Sequence, residues 1–350
     1  MPVACSYYDE EYKLVQDVLR TASFAAPLGS VMSAQAGILQ DEGPQHNLGG
    51  QLDRMRRVMN GKDEGKEILE SCGITPGSNQ PPNTEAVKKA ASMKFLRHLH
   101  MMRKSGSQEV WVYSSPKAYT KYTWEEIATA GASTTALQTS LNQKDEVFSH
   151  QIKSRLAEAT REGMVWVSKT LILLALAKSN QARAKAMVDR WFAPAAADYA
   201  TAVEKLTNGF KAIQNTLSAN NVVITDHPPD RSVANMTEAY VYSTARPRAI
   251  YIEKALMKNY DISVLHDMKK NWTRVVVHEC THLDAATDDD GGYAYRGIKP
   301  QKITSALAIK NADNWAFFAA DCAGALTDGE RLRALEGTGG TLDVLPSNWK

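Results

Sequence analysis

Two histidines and a glutamate are spaced so that they could hold a metal ion and use it for hydrolysis. His278 and His282 are four residues apart, and Glu279 directly follows the first of them. On a helix, residues i and i+4 lie one turn apart on the same face, so both imidazoles can reach one Zn²⁺ ion. Glu279 would lie beside that ion, where its carboxylate can take a proton from a bound water molecule. The spacing therefore predicts a hydrolytic zinc site of the HExxH type.

The residues around the histidines indicate a helix. Apolar side chains recur at Trp272, Val276 and Leu283 with nearly helical spacing, and the histidines fall to one side of this stripe. The three valines at 275–277 alone would favour a strand, but the longer helical period outweighs them. The alternative is a pair of ordinary histidines on a helix face, without a metal.

A catalytic zinc site also needs a third protein ligand and an open position for water. Three consecutive aspartates at 288–290 follow the histidines, and Gly291 and Gly292 then allow a sharp turn of the backbone. Two alternatives stay open for these carboxylates, namely a solvated acidic turn and a calcium loop. The alternating oxygen ligands of an EF-hand loop are missing, which disfavours calcium.

Together these motifs resemble those of the aspzincins, the family of deuterolysin and the peptidyl-Lys metalloendopeptidases. That family combines HExxH with an aspartate third ligand in a Gly-Thr…Asp-x-x-Tyr-Gly element, and Thr287, Asp290 and Tyr293 match it here. The two flanking glycines of the family are Ala286 and Ala294 in this chain. The resemblance implies a zinc endopeptidase in which Tyr293 donates a hydrogen bond to the developing oxyanion.

The resemblance also implies a set of metal ligands. His278, His282 and Asp290 would hold one Zn²⁺ ion, and Asp289 is the alternative third ligand. Zinc held in this way would activate a water molecule, with Glu279 as the general base.

A second element of the resemblance lies downstream. Residues 311–319 resemble the family's Asn-Ala-Asp-x-aromatic-x-x-Phe-Ala helix, and Asp313 matches an aspartate that lines the lysine pocket in the lysine-specific branch. The resemblance thus implies that Asp313 binds substrate and favours a basic residue after the scissile bond. Ala316 stands where that branch has a second acidic residue, which argues against strict lysine specificity. Asn311 or Asp313 could also simply cap a helix.

The wider pattern predicts a helix-rich α+β fold. Residues from about 145 to 219 have an almost continuous helical period, with breaks near 179–180 and 193–194. The segments 239–243 and 249–252 alternate and are rich in β-formers, which predicts a hairpin. An edge strand of such a hairpin could receive an extended substrate.

The length of 350 residues, with 43% hydrophobic and 23% charged residues, suggests about two globular domains. We predict a zincin-like catalytic domain with a small edge-stranded sheet over 145–330, preceded by a mainly helical region over 1–144 and followed by a tail over 331–350. The N-terminal region could be an inhibitory prosegment, a delivery module or an extension of the enzyme.

Net charge and hydropathy limit the classes of partner that we expect. The net charge is +2, and no basic stripe is interleaved with aromatics, so we expect no nucleic-acid partner. The most apolar segment, 164–177, is interrupted by polar residues and too short to span a membrane. The first eleven residues lack the basic start and apolar run of a signal peptide. The family resemblance implies export, so we expect secretion by a route without a classical signal peptide; a mature form and a cytoplasmic location stay open. Four cysteines are few for a disulfide scaffold, and Cys280 and Cys322 could either pair or stay as buried thiols.

The expected partner is a protein or peptide substrate. Two other functions stay open: a zinc-stabilised binding or toxin-delivery protein with a latent or vestigial peptidase site, and zinc-dependent hydrolysis of a non-peptide amide. The intact Glu279 argues against a vestigial site, because structure alone does not require a carboxylate there.

Overall fold

The motifs of interest lie in one of two units into which the chain divides. One unit comprises residues 1–153 and 225–234, and the second unit comprises residues 154–224 and 235–350. Most of the predicted N-terminal region lies outside the described residues, as does the end of the predicted tail. The computed structural model describes residues 66, 69–70, 73–83, 112, 133–142, 147–218, 222–226, 237–242, 249–258 and 264–339.

Helices dominate this described part of the chain. They are α1 (Thr134–Asn142), α2 (His150–Lys178), α3 (Ala182–Phe192), α4 (Tyr199–Ser218), α5 (Lys254–Lys258), α6 (Met268–Asp284), α7 (Pro300–Ile303), α8 (Ser305–Ala308), α9 (Ala312–Cys322) and α10 (Asp328–Glu336). The strands are β1 (Val223–Thr225), β2 (Ala239–Val241) and β3 (Ala249–Ile252), and a short 3₁₀ turn spans Ala294–Arg296. The fold is therefore helix-rich α+β, as the sequence predicts. None of the described helices is long and apolar enough to cross a bilayer.

The long helical stretch and its two breaks are confirmed. α2 ends at Lys178, and Asn180 then adopts a φ of 55°. α3 is terminated by Ala193, which has a φ of 37° and donates its N–H to the Asp189 carbonyl oxygen. A left-handed residue ends a helix because its N–H turns back onto the last turn. These two turns divide the stretch into the separate helices α2, α3 and α4.

The centre of the second unit is formed by α6 and α9. These helices pack against each other, and α6 also packs against α4 and the sheet, while α9 packs against α3. All ten residues from Ala312 to Asp321 in α9 are buried. Its Trp315 ring lies 5.0 Å from the Phe210 ring of α4, and its Phe318 ring lies 5.2 Å from the Phe192 ring of α3, measured between centroids. Each such buried side chain contributes about 1.5–3 kcal/mol, so the aromatic contacts hold α9 firmly beneath the site.

The sheet supplies an edge next to the histidines. Its described strands are in the order β1-β3-β2, and β2 pairs with β3 antiparallel, with Ala239 opposite Ile252 and Val241 opposite Ile250. This confirms the predicted hairpin strands. Since β2 lies at the edge of the described sheet and packs against α6, it can position an extended chain over that helix.

A helix with a reciprocal N-terminal cap follows α9. Thr327 is the N-cap of α10, because its hydroxyl accepts a hydrogen bond from the Glu330 N–H at 3.2 Å and the Glu330 carboxylate accepts from the Thr327 N–H at 2.7 Å. This reciprocal cap stabilises the first turn of α10. The helix runs on to Glu336, well inside the predicted tail.

Gly209 allows α4 to approach the central helices closely. A Cβ atom at this position would lie 2.5 Å from Cζ3 of Trp315 and 3.0 Å from Cβ of Ala285. We expect Gly209→Ala to lower the free energy of unfolding by about 1–3 kcal/mol, because overpacking a filled core forces neighbouring groups apart. Urea denaturation measures the change. Gly329→Ala is the control, since its Cβ would meet only the Arg333 side chain at 3.5 Å. Equal stability of the two variants would contradict the close packing.

Candidate metal centre

The helix that carries the two histidines is fixed at both ends. Asp267 begins α6 by accepting hydrogen bonds at its Oδ1 from the backbone N–H groups of Lys269, at 2.8 Å, and Lys270, at 3.4 Å. At the other end the Ala285 N–H donates to the Thr281 carbonyl oxygen. Every residue from 271 to 281 is buried. The valines at 275–277 are helical, as predicted, because contacts with surrounding elements override their strand preference.

Three side chains converge on one point beside α6. Nε2 of His278 lies 3.2 Å from Nε2 of His282, and Oδ1 of Asp289 lies 3.3 Å and 3.6 Å from these two atoms. Two atoms that bind Zn²⁺ tetrahedrally at about 2.0–2.1 Å lie roughly 3.3–3.4 Å apart. The two imidazoles and the carboxylate therefore fit a zinc ion in donor type and in spacing.

The structure brings Asp289, and not Asp290, to the histidines. A parallel β-bridge pairs Asp288 with Asn311: the Asp288 N–H donates to the Lys310 carbonyl oxygen, and the Asp288 carbonyl oxygen accepts from the Ala312 N–H. This pairing fixes the backbone so that the next side chain faces the histidines. Asp290 is exposed and does not line the cavity at the site. Asp289 thus replaces Asp290 in the candidate ligand set.

The glycines after the aspartates are required by this loop. A Cβ at Gly291 would lie 2.7 Å from Cβ of Asn311, and Gly292 has a φ of 85°, which L-residues rarely adopt. Tyr293 lies four residues after Asp289, which is one residue more than in the Asp-x-x-Tyr element of the family.

Both histidine rings are oriented by hydrogen bonds on the side away from this point. Nδ1 of His278 lies 2.8 Å from Oδ1 of Asp313, and Nδ1 of His282 lies 2.9 Å from the Thr287 carbonyl oxygen. Since these acceptors engage Nδ1, each ring presents Nε2 towards the metal position. Carboxylate and carbonyl partners of this kind commonly fix the tautomer of metal-binding histidines.

Asp313 contacts His278, and both of its carboxylate oxygens accept hydrogen bonds from the protein. In addition to His278, its Oδ1 accepts from Nη1 of Arg274 at 3.0 Å, and its Oδ2 accepts from the Ala294 N–H at 2.8 Å. Burial would raise the pKa of Asp313, but Arg274 and His278 hold it well below its usual range. The predicted substrate-binding residue is therefore only 3% exposed and is bonded to the protein itself. Asn311 is the N-cap residue of α9 but makes no side-chain cap bond.

The sequence did not single out Arg274. It precedes His278 by four residues, so the helical period that relates the histidines also places Arg274 on the same face of α6. The sequence does contain one signal for Arg274, which is a cation one helical turn before the metal motif. It does not show which acidic side chain pairs with that cation.

Glu279 faces the cavity, and one of its two carboxylate oxygens accepts no hydrogen bond from the described residues. The residue is 4% exposed, lines the cavity next to His278, and its Oε2 has no partner among the described residues. Burial raises the pKa of Glu279 to about 7. A buried carboxylate with a free oxygen next to two imidazoles is suited to exchange protons with a small molecule at that place.

Tyr293 brings a hydroxyl group to the same place. Its hydroxyl donates to Oδ2 of Asp289 at 3.3 Å, and its ring stacks on that of Tyr295 with centroids 5.9 Å apart. Burial and the nearby Asp289 raise the pKa of Tyr293 to about 12, so the phenol keeps its proton. The side chain is 42% exposed, which leaves it accessible to a ligand in the cavity.

A cavity of about 650 Å³ connects these groups with the sheet edge. Its walls come from β2 and the residues just before it, from α6, from the loop after α6 and from α9. His278, Glu279, His282, Asp289 and Tyr293 all line it. The site is thus open on the side where an extended chain could lie along β2.

Cys280 and Cys322 are not joined by a disulfide. Cys280 is buried within α6, and Sγ of Cys322 in α9 lies 3.7 Å from Sδ of Met187. Of the two predicted alternatives, the structure therefore has two thiols and not a disulfide. Cys5 and Cys72 lie outside the described residues.

Comparison with known families identifies the region that contains this site. The family described as lysine-specific metallo-endopeptidase, the aspzincins, matches residues 177–320. That range includes the two histidines, the aspartate loop and α9. No curated protein matches the chain.

Proposed function

From the match of residues 177–320 to the aspzincin metallo-endopeptidase family, we propose that the chain cleaves peptide bonds with Glu279 as general base. We assign His278, His282 and Asp289 as the ligands of one zinc ion. The observation that carries this proposal is the spacing of 3.2–3.6 Å among their three ligand atoms, at the wall of an open cavity.

Each group has a distinct part in the proposed hydrolysis. A zinc ion held there would polarise the scissile carbonyl and lower the pKa of a water molecule towards 7. Glu279 accepts a proton from the attacking water and then delivers it to the departing amine. Asp313 and the Thr287 carbonyl oxygen hold the two imidazoles in the orientation that the metal requires. Tyr293 donates its hydroxyl proton in a hydrogen bond to the oxyanion that forms.

The substrate class follows from the shape of the cavity. Thr237, Glu238, Ala239, Tyr240 and Val241 form one wall, and they belong to β2 or directly precede it. An extended peptide can add to such an edge through main-chain hydrogen bonds. This supports a protein or peptide substrate over a small non-peptide amide, which would not need a strand edge.

The direct test pairs metal analysis with cleavage of an unbiased peptide mixture. We expect the full chain to bind one zinc ion per molecule and to release new amino termini, which mass spectrometry detects. A protein that binds zinc and cuts no peptide would favour the alternative of a zinc-stabilised binding protein.

Tyr293→Phe should lower kcat by about 10²–10³, as the loss of an oxyanion donor does elsewhere. Zinc content should stay unchanged, because the tyrosine hydroxyl contacts Asp289 but is not itself a proposed zinc ligand. The matched control is Tyr199→Phe, which removes a hydroxyl that has no partner among the described residues and lies outside the cavity lining. If Tyr293→Phe and Tyr199→Phe cleaved a reporter peptide equally fast, the role of Tyr293 would be refuted.

A further inference from the structure

The acidic residue expected to bind a substrate lysine is buried and already accepts three hydrogen bonds from the protein. Both oxygens of Asp313 are engaged by protein donors, which are Arg274, His278 and the Ala294 N–H. A lysine ammonium would have to approach a carboxylate that is only 3% exposed and that Arg274 already neutralises. Two of the three hydrogen bonds anchor His278 and the main chain next to Tyr293, so a shift of Asp313 towards a ligand would disturb the centre itself.

Arg274 also neutralises the second carboxylate on this side of the cavity. Its Nη2 pairs with Oε2 of Glu238, its Nη1 with Oδ1 of Asp313, and its Nε donates to Oδ1 of Asn271 at 2.9 Å. Glu238 in turn accepts from Nδ2 of Asn271 at 2.7 Å. One buried guanidinium thus lies between the two acidic groups and binds both.

Apolar side chains also line the cavity. Phe317, Val264 and Val275 are among them, and the guanidinium carbon of Arg274 lies 6.0 Å from the centroid of the Phe317 ring. Ala316, which stands where a second acidic residue would be needed, is fully buried in α9. The other two carboxylates of the cavity, Glu279 and Asp289, belong to the metal centre.

We propose that Arg274 sets the substrate specificity of this site, by closing off Asp313 and Glu238 so that the pocket beside the metal accepts an apolar side chain and rejects lysine. This inference rests on the proposed endopeptidase function. A lysine in the pocket would lose water without gaining a free acidic partner, whereas an apolar side chain would contact Phe317 and the valines.

Two peptides that differ at one position test the proposal. One carries norleucine after the scissile bond and the other carries lysine, which has the same four-carbon stem and adds the ammonium. We expect kcat/KM to be at least about tenfold higher for the norleucine peptide, since an unpaired charge is costly to desolvate. Equal or faster cleavage of the lysine peptide would overturn the inference and leave the peptidase function intact.

A binding measurement separates this inference from the peptidase proposal. Calorimetric titration of the Glu279→Gln variant with the same two peptides gives Kd without turnover. Tighter binding of the norleucine peptide, by at least about tenfold, is expected even if no cleavage occurs. Tighter binding of the lysine peptide would contradict the inference in that case as well.

A matched pair of variants on one helix assigns the effect to Arg274. Arg274→Gln should move the ratio of kcat/KM values towards the lysine peptide by at least about tenfold, because Asp313 and Glu238 lose their shared cation. Lys270→Gln is the control: it also removes a cation from α6, but Lys270 pairs with Glu330 and does not line this cavity. An unchanged ratio in a folded Arg274→Gln protein would refute the role of Arg274. If circular dichroism shows that this variant does not fold, the two-peptide comparison in the wild type decides.

Discussion

Replacing Glu279 by Gln is expected to abolish peptide cleavage while zinc binding is retained. A positioned general base contributes about 10²–10⁴ to rate, and the glutamine amide can neither accept the water proton nor return it to the amine. We therefore expect kcat to fall by at least about 10³. Zinc should remain, because its proposed ligand atoms come from His278, His282 and Asp289.

Three measurements make this expectation decisive. Single-turnover cleavage of a reporter peptide gives the rate, metal analysis gives the zinc content, and thermal unfolding shows that the variant is folded. The control is Glu204→Gln, which makes the same chemical change at an exposed position of α4. Equal rates for Glu279→Gln and Glu204→Gln would remove the mechanism, and a loss of zinc from Glu279→Gln would instead make Glu279 a ligand.

The parts of the structure that sequence predicts well are those set by local patterns. The i, i+4 histidines require only a helix, and the apolar stripe through Trp272 and Val276 shows one. The hairpin strands β2 and β3 are rich in β-forming residues, which is a local signal for a strand. Residues such as Asn180, which tolerates a positive φ, end helices without help from distant parts of the chain.

The parts that sequence predicts poorly depend on distant partners. Three adjacent aspartates are equivalent as a pattern, and only the bridge between Asp288 and Asn311 determines which one faces the histidines. In the same way, Asp313 matches a substrate-binding motif, but in the structure its carboxylate pairs with Arg274, which is 39 residues away in the chain. Motif matching identifies the chemical groups, and tertiary hydrogen bonds decide whether those groups are free to bind a substrate.

Exchanging each of two neighbouring aspartates for asparagine should give opposite results for metal binding. In the structure, Oδ1 of Asp289 lies within 3.6 Å of both histidine nitrogens, whereas Asp290 is exposed and its N–H donates to Oδ1 of Asp288. Loss of a partner outside the ligand shell typically costs about 10–100-fold in metal affinity, and loss of a ligand carboxylate should exceed that range. We expect Asp289→Asn to weaken zinc binding by more than about 100-fold and Asp290→Asn to change it by only a few-fold.

Competition with a chromophoric chelator measures both affinities on the purified proteins, independently of any peptidase assay. The pair is informative because each variant removes one negative charge from the same loop and preserves side-chain size. Long-range electrostatics therefore changes almost equally in the two proteins, and the difference between them reports direct coordination. Zinc loss in Asp290→Asn with retention in Asp289→Asn would restore the ligand predicted from the family motif. Retention in both would exclude both aspartates, and the third ligand would then have to come from another donor at the cavity wall.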